Sequence, residues 1–466
     1  MENRINNIDF PKVLIIGETL HKKTGSGITL FNFFAEWPKD QIAVLTGANI
    51  WESDVSLCYK YYLWKTENMI LPKFLKRLFF KQKNISLEGC VSVQDILKRQ
   101  DNKNNIQPFN AKGSNDINND ILKSLLIKIK LIYRFLIKII GLSPLTQKIV
   151  ITESLGQWIN SYKPDVMYTF LNHYEQFQLV LDLHKKHGIP YVVHPMDDHI
   201  KLMPPKSLLF YYWKYKMNSK FEILIKNASV RLSICDYMSH IYKRKYKFDF
   251  HGYHNPIDAD NWLQFSKTNW KINGAFKILY AGRYGFDNAE LLHSLAQIVE
   301  ELNKEGFNIK LDLRFGILSD KSLSEAFLKY EHSEIKDYVP HNEIKTVLPK
   351  YDLLFLPLGF DKKTRKIYSV SMSTKIPEYM ISGTPIIVNA PENTAYFQYA
   401  QQDKWGYLLP TDNPIDLKNS LLKLIKNEQL RETLGKKAKI VAKNNHDAKK
   451  VRNDLRMEFI KAVSIN

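Results

Sequence analysis

STKIPEYMISGTPIIVNAP, residues Ser373 to Pro391, is the stretch that decides the fold. Lys375 and Glu378 stand one helical turn apart, Ser382 and Gly383 break the pattern, and Pro385 leads into the apolar run Ile386, Ile387, Val388. Helix, tight turn and buried strand form the grammar of a doubly wound α/β domain. Residues three apart on a helix are neighbours, so Lys375 and Glu378 can face one crevice. A cation there suits phosphate, and a carboxylate suits a sugar diol.

The same grammar occurs in both halves of the chain. KVLIIGE from Lys12 and KILYAGR from Lys277 are short buried-strand patterns ending in glycine, each followed by a loop and then a helical pattern. Two such openings predict two Rossmann-like domains. In the first, the loop HKKTGSG leads into ITLFNFFAEW and then the strand QIAVLTG; in the second, RYGFDNAE leads into LLHSLAQIVEELNKEG and then NIKLDLRFG. Further strands are predicted at Lys163–Phe170, Pro190–His199 and Tyr351–Pro357, and helices at Asp416–Asn427 and Gln429–Ala442. The predicted division is an N-terminal domain over 1–258 with an insert near 66–150, and a C-terminal domain over 259–445. A last helix over 446–466 follows, and the hinge falls near Asp258–Trp270.

Bulk composition narrows the class. A chain of 466 residues is too long for one ordinary core. Its hydrophobic fraction of 44% and charged fraction of 25% are those of a globular protein. Cys58, Cys90 and Cys235 are scattered without a CxxC pair, which argues against a disulfide framework or zinc module and fits a reducing compartment. No signal peptide is visible, and no run of about 18 uncharged apolar residues predicts a membrane span. The expected location is the cytoplasm. The net charge of +19 favours anionic partners, although a Lys-, Asn- and Ile-rich composition by itself produces the same excess.

Four elements, in order, resemble family 4 of the GT-B glycosyltransferases. They are Gly25-Ser26-Gly27 after the first strand, the segment from Ser233 (SICDYMSHIYKRKY) to HNPID, Gly282-Arg283-Tyr284, and STKIPEYMISGTPII. The resemblance covers most of the chain outside the insert and is strongest from Lys277 to Leu409. It implies two Rossmann-like domains facing a cleft. The C-terminal domain would hold a UDP- or GDP-sugar and the N-terminal domain a glycan or lipid-linked acceptor. It implies retaining transfer to an acceptor hydroxyl, in bacterial surface glycan synthesis, with no cofactor and no metal. Arg283 and Lys375 would neutralise the departing diphosphate, helped by the helix start at Thr374. Glu378 would bind the ribose hydroxyls, with Tyr379 beside it. Gly25, Ser26 and Gly27 would let backbone approach donor phosphates or acceptor. His194 would touch the donor sugar, with Asp197 or Asp198 near the acceptor; a structural role stands beside each of these three.

Two positions depart from the family pattern. Val370 stands where the family has its first motif glutamate, and Asn288 where a lysine often follows the Gly-Arg arginine. A direct contact to the donor sugar's hydroxyls is then missing or supplied elsewhere. Diphosphate stabilisation rests on Arg283 with Lys375, or borrows Arg365 or Lys366. These departures keep open a nucleotide-sugar-modifying enzyme of the 2-epimerase kind and a non-catalytic homologue. Asp258-Ala-Asp260 looks like the DxD of metal-dependent transferases, but it follows Asn255-Pro256-Ile257 at a domain junction, so no metal site is read there.

Two basic apolar segments flank an Asn-rich link, Asp101–Asp120. One is Leu71–Lys83. The other, Ile121–Ile140, carries Lys123, Lys128, Lys130, Arg134 and Lys138 and no acid. On a helical wheel the five cations share one sector, breached by Ile127 and Leu131. An anionic membrane surface and a helix whose apolar face packs into the domain are both open readings. Nucleic acid ranks last, because no stacking aromatics interleave at a regular spacing.

Overall fold

The computed structural model describes residues 9–22, 25–67, 88–104, 128, 131–133, 135–142, 148–171, 173–202, 207–316 and 325–465. The segment Leu71–Lys83 and much of Ile121–Ile140 lie outside them. The chain divides by contacts into two units. The first comprises Met1–Pro195, His199–Leu232 and Arg456–Asn466; the second comprises Met196–Asp198 and Ser233–Leu455. The long stretch of the second unit opens at Ser233. Local contacts account for it: Cys235 Sγ meets the Val370 carbonyl at 3.6 Å, and the His254 ring lies against Tyr399 and His446. The C-terminal helix Ala448–Ser464 begins in the second unit and ends in the first, where Phe459 packs against Phe34, Trp37 and Tyr168.

Short runs of Val, Ile, Leu and Tyr make the first unit's sheet. Its parallel strands, in chain order, are Val13–Ile16, Ile42–Thr46, Lys60–Leu63, Val166–Thr169, Tyr191–Val193 and Val230–Ser233. They lie side by side in the order 6-5-4-1-2-3, with Gly89–Val91 antiparallel beside the third. Lys65–Glu67 and Lys148–Val150 pair antiparallel, so the insert leaves and returns through one small ladder.

The second unit repeats the plan. Phe276–Gly282, Ile309–Phe315, Ser333–Lys336, Leu353–Pro357, Ile386–Asn389 and Tyr407–Leu409 form a parallel sheet in the order 3-2-1-4-5-6. Side chains alternate across it, as the two-residue period of a strand requires. Ile278, Tyr280, Leu311, Phe355 and Ile387 pack under Leu292, Leu295 and Val299. On the other face Leu279, Leu354, Leu356 and Val388 pack under Ile376, Met380 and Val441. Both faces are covered, which is why the strands read as unbroken apolar runs. Each fully buried Leu, Ile or Val contributes roughly 1.5–3 kcal/mol.

The helix Lys375–Ile381 is only two turns long. Pro377 is tolerated because the first turn needs no intrahelical N–H. The helix stops where Gly383 takes φ 73°, a conformation glycine adopts at no steric cost, and the chain turns into strand Ile386–Asn389.

In both sheets the strand order reverses between the first and fourth strands. Ligands of open α/β sheets bind outside the carboxyl ends of the strands at such a reversal. In the second unit that point is Gly282. In the first it is Gly17, followed by Gly25-Ser26-Gly27. Among the described residues, no helix is long and apolar enough to cross a membrane.

Candidate active site

Strand Phe276–Gly282 brings Tyr280, Gly282 and Arg283 to the reversal point, and helix Lys375–Ile381 brings Lys375 there. The Tyr280 ring is buried and its hydroxyl is fully used. It donates to the Arg283 carbonyl and accepts from Asn288 Nδ2 at 3.0 Å and Lys375 Nζ at 3.3 Å. A phenol has one proton and two lone pairs, so nothing remains unpaired. The Lys375 ammonium also sits over the Tyr280 ring, 4.3 Å from its centre.

Gly282 is required by this approach. A Cβ built on it would lie 2.1 Å from Lys375 Nζ and 2.9 Å from Cε. The glycine of the Gly-Arg pair therefore leaves room for a cation from a distant helix. Lysine is flexible, so Gly282→Ala should cost little stability and instead displace the ammonium. The expected result is a thermal midpoint close to wild type and kcat reduced on the order of ten- to a hundredfold. A variant of unchanged kcat would show that Lys375 needs no such berth.

Arg283 Nη2 lies 2.8 Å from both carboxylate oxygens of Asp287, whose side chain is largely buried. Burial pulls the Lys375 ammonium down to about 8; Asp287 and Glu378 oppose the fall and Arg283 adds to it. The Arg283–Asp287 ion pair and the Lys375 ammonium thus act on one another within one site. Such a site gains stability when an anion with several charges arrives.

Asn288 is buried, and its side chain closes the loop instead of reaching outward. Nδ2 donates to the Arg283 carbonyl at 2.9 Å as well as to Tyr280, and Oδ1 accepts from Gly285 N at 3.0 Å. Helix Ala289–Lys304 starts immediately after it. The residue that departs from the family pattern is therefore a loop clasp. Val370 is buried. Arg365 and Lys366, on helix Lys362–Tyr368, are exposed.

Glu378 lies on the same helix as Lys375, and its Oε1 is 2.8 Å from His341 Nε2. A carboxylate only accepts, so the imidazole must carry its proton on Nε2. Tyr379 is buried. Its hydroxyl accepts from Ala281 N at 2.9 Å and donates to Ala281 O at 3.0 Å, tying the helix to the strand end. Thr374 precedes the helix without a side-chain cap, and its carbonyl accepts from Asn255 Nδ2 at 3.3 Å. Arg283, Thr374, Lys375, Glu378 and Tyr379 thus belong to one unit.

The remaining sequence-predicted residues are placed differently. Gly25, Ser26 and Gly27 are not a loop; they are the first turn of helix Gly25–Phe34. Ser26 Oγ donates to Glu18 Oε2 at 2.8 Å, and Glu18 Oε1 accepts from Thr19 N and Asn49 Nδ2, each at 3.0 Å. A Cβ on Gly27 would lie 2.1 Å from the His21 ring. His194 follows strand Tyr191–Val193 and is completely buried, with Tyr168 OH 2.7 Å from Nδ1 and Phe33 and Phe170 packed around the ring. Asp197 and Asp198 are half-buried in the turn that follows. Asp258 caps helix Ala259–Leu263 by accepting from Asn261 N, and Asp260 pairs with Lys449 at 2.9 Å.

Sequence reasoning missed Tyr280, Asp287 and His341. Asp287 had a signal, four residues after Arg283. His341 had none, because its partner is far along the chain. A cavity of about 460 Å³ in the second unit, lined among others by Asp236, His254, Asp403 and Asp454, includes none of Arg283, Lys375 or Glu378. Strand order and convergent charge, not cavity size, locate the site.

Residues 275–427 match the family model of the glycosyl transferases group 1. The whole chain is similar in structure to sucrose-phosphate synthase from Thermosynechococcus elongatus, with a TM-score of 0.60 at 11% identity over 98% of this chain and 100% of that one. It is similar to Anabaena HepE in complex with UDP, with a TM-score of 0.56 at 12% identity over 95% and 98%. It is also similar to a glycosyltransferase from Rickettsia africae, with a TM-score of 0.54 at 9% identity over 98% and 99%. No curated protein sequence matches. At such identities the structural likeness establishes the fold, and the family match supplies the chemistry. With a group 1 glycosyltransferase domain over residues 275–427 and two parallel sheets in the GT-B fold, the protein is a glycosyltransferase.

Proposed function

We propose that the protein moves a sugar from a UDP- or GDP-sugar to an acceptor hydroxyl with retention, as family 4 enzymes do, in the synthesis of a bacterial surface glycan. The observation that carries this reading is the Lys375 ammonium beside Gly282, next to the Arg283–Asp287 pair of the loop that follows, at the carboxyl end of the first strand of a 3-2-1-4-5-6 sheet. The bond from the anomeric carbon to the diphosphate breaks, a bond to the acceptor oxygen forms on the same face, and the acceptor's proton passes to the departing diphosphate. Arg283 and Lys375 hold the charge that develops on the diphosphate. Helix Lys375–Ile381 is too short to add much through its dipole, so the side-chain charges carry this role. Glu378, held by His341, takes the ribose hydroxyls. Gly25, Ser26 and Gly27, as the first turn of helix Gly25–Phe34, bring backbone N–H groups toward donor or acceptor. His194, buried beneath that loop's helix, supports its position, and Asp197 and Asp198 stand nearest the acceptor.

Thermal-shift measurements with UDP, GDP and their sugars test the donor assignment, since a ligand that binds only the native state raises its stability. UDP comes first because the similar Anabaena structure holds UDP. A midpoint unmoved by any nucleoside diphosphate or nucleotide-sugar would overturn the reading. Turnover of sugar nucleotide without any acceptor would point to a modifying enzyme instead. Donor binding without turnover over a broad acceptor panel would point to the non-catalytic homologue that Val370 leaves open. EDTA should have little effect; loss of activity restored by Mn²⁺ would show a metal-dependent reaction.

A lipid-linked acceptor places the enzyme on the inner face of a membrane. Helical residues 131–133 and 135–140 favour this, because Leu131, Ile132, Phe135, Leu136, Ile139 and Ile140 are exposed while Ile137 is buried. Binding to anionic vesicles is expected to fall as salt rises, since each cation near the surface is worth about 1 kcal/mol and is screened by salt. Co-sedimentation of a variant with Lys128, Lys130, Arg134 and Lys138 changed to Gln checks this: binding equal to wild type would remove the charge-driven contact.

A further inference from the structure

Helix Phe210–Asn227 has a complete core face of its own. Trp213, Met217, Phe221 and Leu224 are buried along one side. The opposite side should be polar, yet Leu208, Tyr211, Tyr212 and Tyr215 are 78%, 79%, 49% and 70% exposed. Tyr211, Tyr212 and Tyr215 share one face of the helix, and Leu208 stands in the turn that leads into it. Lys214 and Lys216 are exposed on either side of this stripe, and the Lys216 ammonium leans toward the Tyr212 ring at 5.7 Å.

This stripe is joined to the outward face of residues 131–140. Leu208 N donates to Ile139 O at 3.0 Å and Leu209 N to Ile140 O at 3.1 Å, while Trp213 Nε1 donates to the Gly141 carbonyl. Gly141 makes the junction possible. Its φ is 88°, and a Cβ there would strike Ser207 Oγ at 2.2 Å. The two segments are thus one exposed surface in the first unit, with Phe135 62% exposed on its other half.

We propose that the tyrosine stripe Leu208–Tyr211–Tyr212–Tyr215 and the apolar face of residues 131–140 form a single surface that inserts into the interface of an anionic bilayer. The proposal rests on the membrane-facing role put forward above and adds to it an apolar anchor that charge alone does not supply. Two observations select a lipid surface as the occupant. Tyrosine is an interfacial residue, with an apolar ring and a polar tip that match the headgroup boundary. Helix Phe210–Asn227 carries Lys214, Lys216, Lys220 and Lys226 against one acid, the exposed Glu222, and residues 131–142 contain no acid, so the surface complements anionic headgroups, and lysine stems let the charge reach them.

The test uses mixed phosphatidylglycerol–phosphatidylcholine vesicles and the full chain at about 0.1 M and about 1 M salt, where the screening length falls from about 10 Å to about 3 Å. The variant changes Leu208, Tyr211, Tyr212 and Tyr215 to Ser, and unchanged affinity for UDP serves as its control for folding. Wild type should keep a salt-resistant bound fraction, and the variant should lose that fraction and bind at least tenfold less at low salt. As a second readout, Tyr215→Trp should add fluorescence that brominated lipid quenches. Binding equal to wild type at both salts, together with no added quenching, overturns the apolar anchor while leaving charge-driven membrane binding intact. No wild-type binding to anionic vesicles overturns both. A shift from dimer to monomer in light scattering, with vesicle binding unchanged, makes a second copy of the chain the occupant and also overturns the proposal.

Discussion

Arg283→Ala and Lys375→Ala will each lower kcat by on the order of a hundredfold, as loss of one group that stabilises developing charge does elsewhere. Neither change should unfold the protein. The Arg283 side chain is 58% exposed, and its main structural partner is the nearby Asp287. Removing Lys375 takes a charge out of a site where burial already pulls its ammonium down to about 8. Its charged form is disfavoured in the free protein and favoured once a diphosphate is bound. The sign of the pH effect follows. Below about 8 the ammonium is charged before binding, and affinity for a nucleoside diphosphate is full. As pH rises through that value, binding must take up a proton, and affinity falls. Lys375→Ala should abolish this alkaline loss while lowering affinity below it, and calorimetry across the range reads both. An alkaline limb that persists unchanged in the variant would assign it to another group.

Glu378→Ala is expected to weaken nucleoside diphosphate binding by about 1–3 kcal/mol, the value of a charge-assisted hydrogen bond to a ligand hydroxyl. The carboxylate is held from one side by His341, which leaves Oε2 for a ribose hydroxyl. His341→Ala should lose part of the same free energy, because the carboxylate must then be ordered by the ligand itself. His341→Gln, which keeps a donor on a side chain of suitable reach, should lose less. The deoxynucleotide is a useful second ligand: if Glu378 contacts the ribose diol, the variant should discriminate less between ribose and deoxyribose. Unchanged calorimetric affinity in a folded Glu378→Ala variant would remove Glu378 from the site.

Local pattern determined the strands. The first strand of each sheet was legible as KVLIIGE and KILYAGR because a strand covered on both faces needs an unbroken apolar run, and glycine marks its end. The helix and turn in Ser373–Pro391 were legible for the same reason: helix period, glycine break and strand follow one another within a few residues. Gly25-Ser26-Gly27 shows the limit of that reading. Three small residues suit a loop by propensity, but the chain coils there because Ser26 is held by Glu18 and the His21 ring leaves no room beside Gly27.

Tertiary structure alone decided how the site is assembled. Gly282 and Lys375 are in contact only because the first and fourth strands of the sheet are neighbours and the chain crosses between them. Likewise, no spacing rule joins His341 to Glu378 or makes Asn288 a clasp for the Arg283 loop. The basic helix teaches the same lesson. A period of 3.6 residues states that residues 131–140 have an apolar side, but it carries no information about which way that side faces. Orientation is set by what else is there to pack against. Here helix Phe210–Asn227 already fills its core with Trp213, Met217 and Phe221, Leu208 and Leu209 donate to the backbone of the neighbouring segment, and among the described residues Leu131, Ile132, Phe135, Leu136, Ile139 and Ile140 face out.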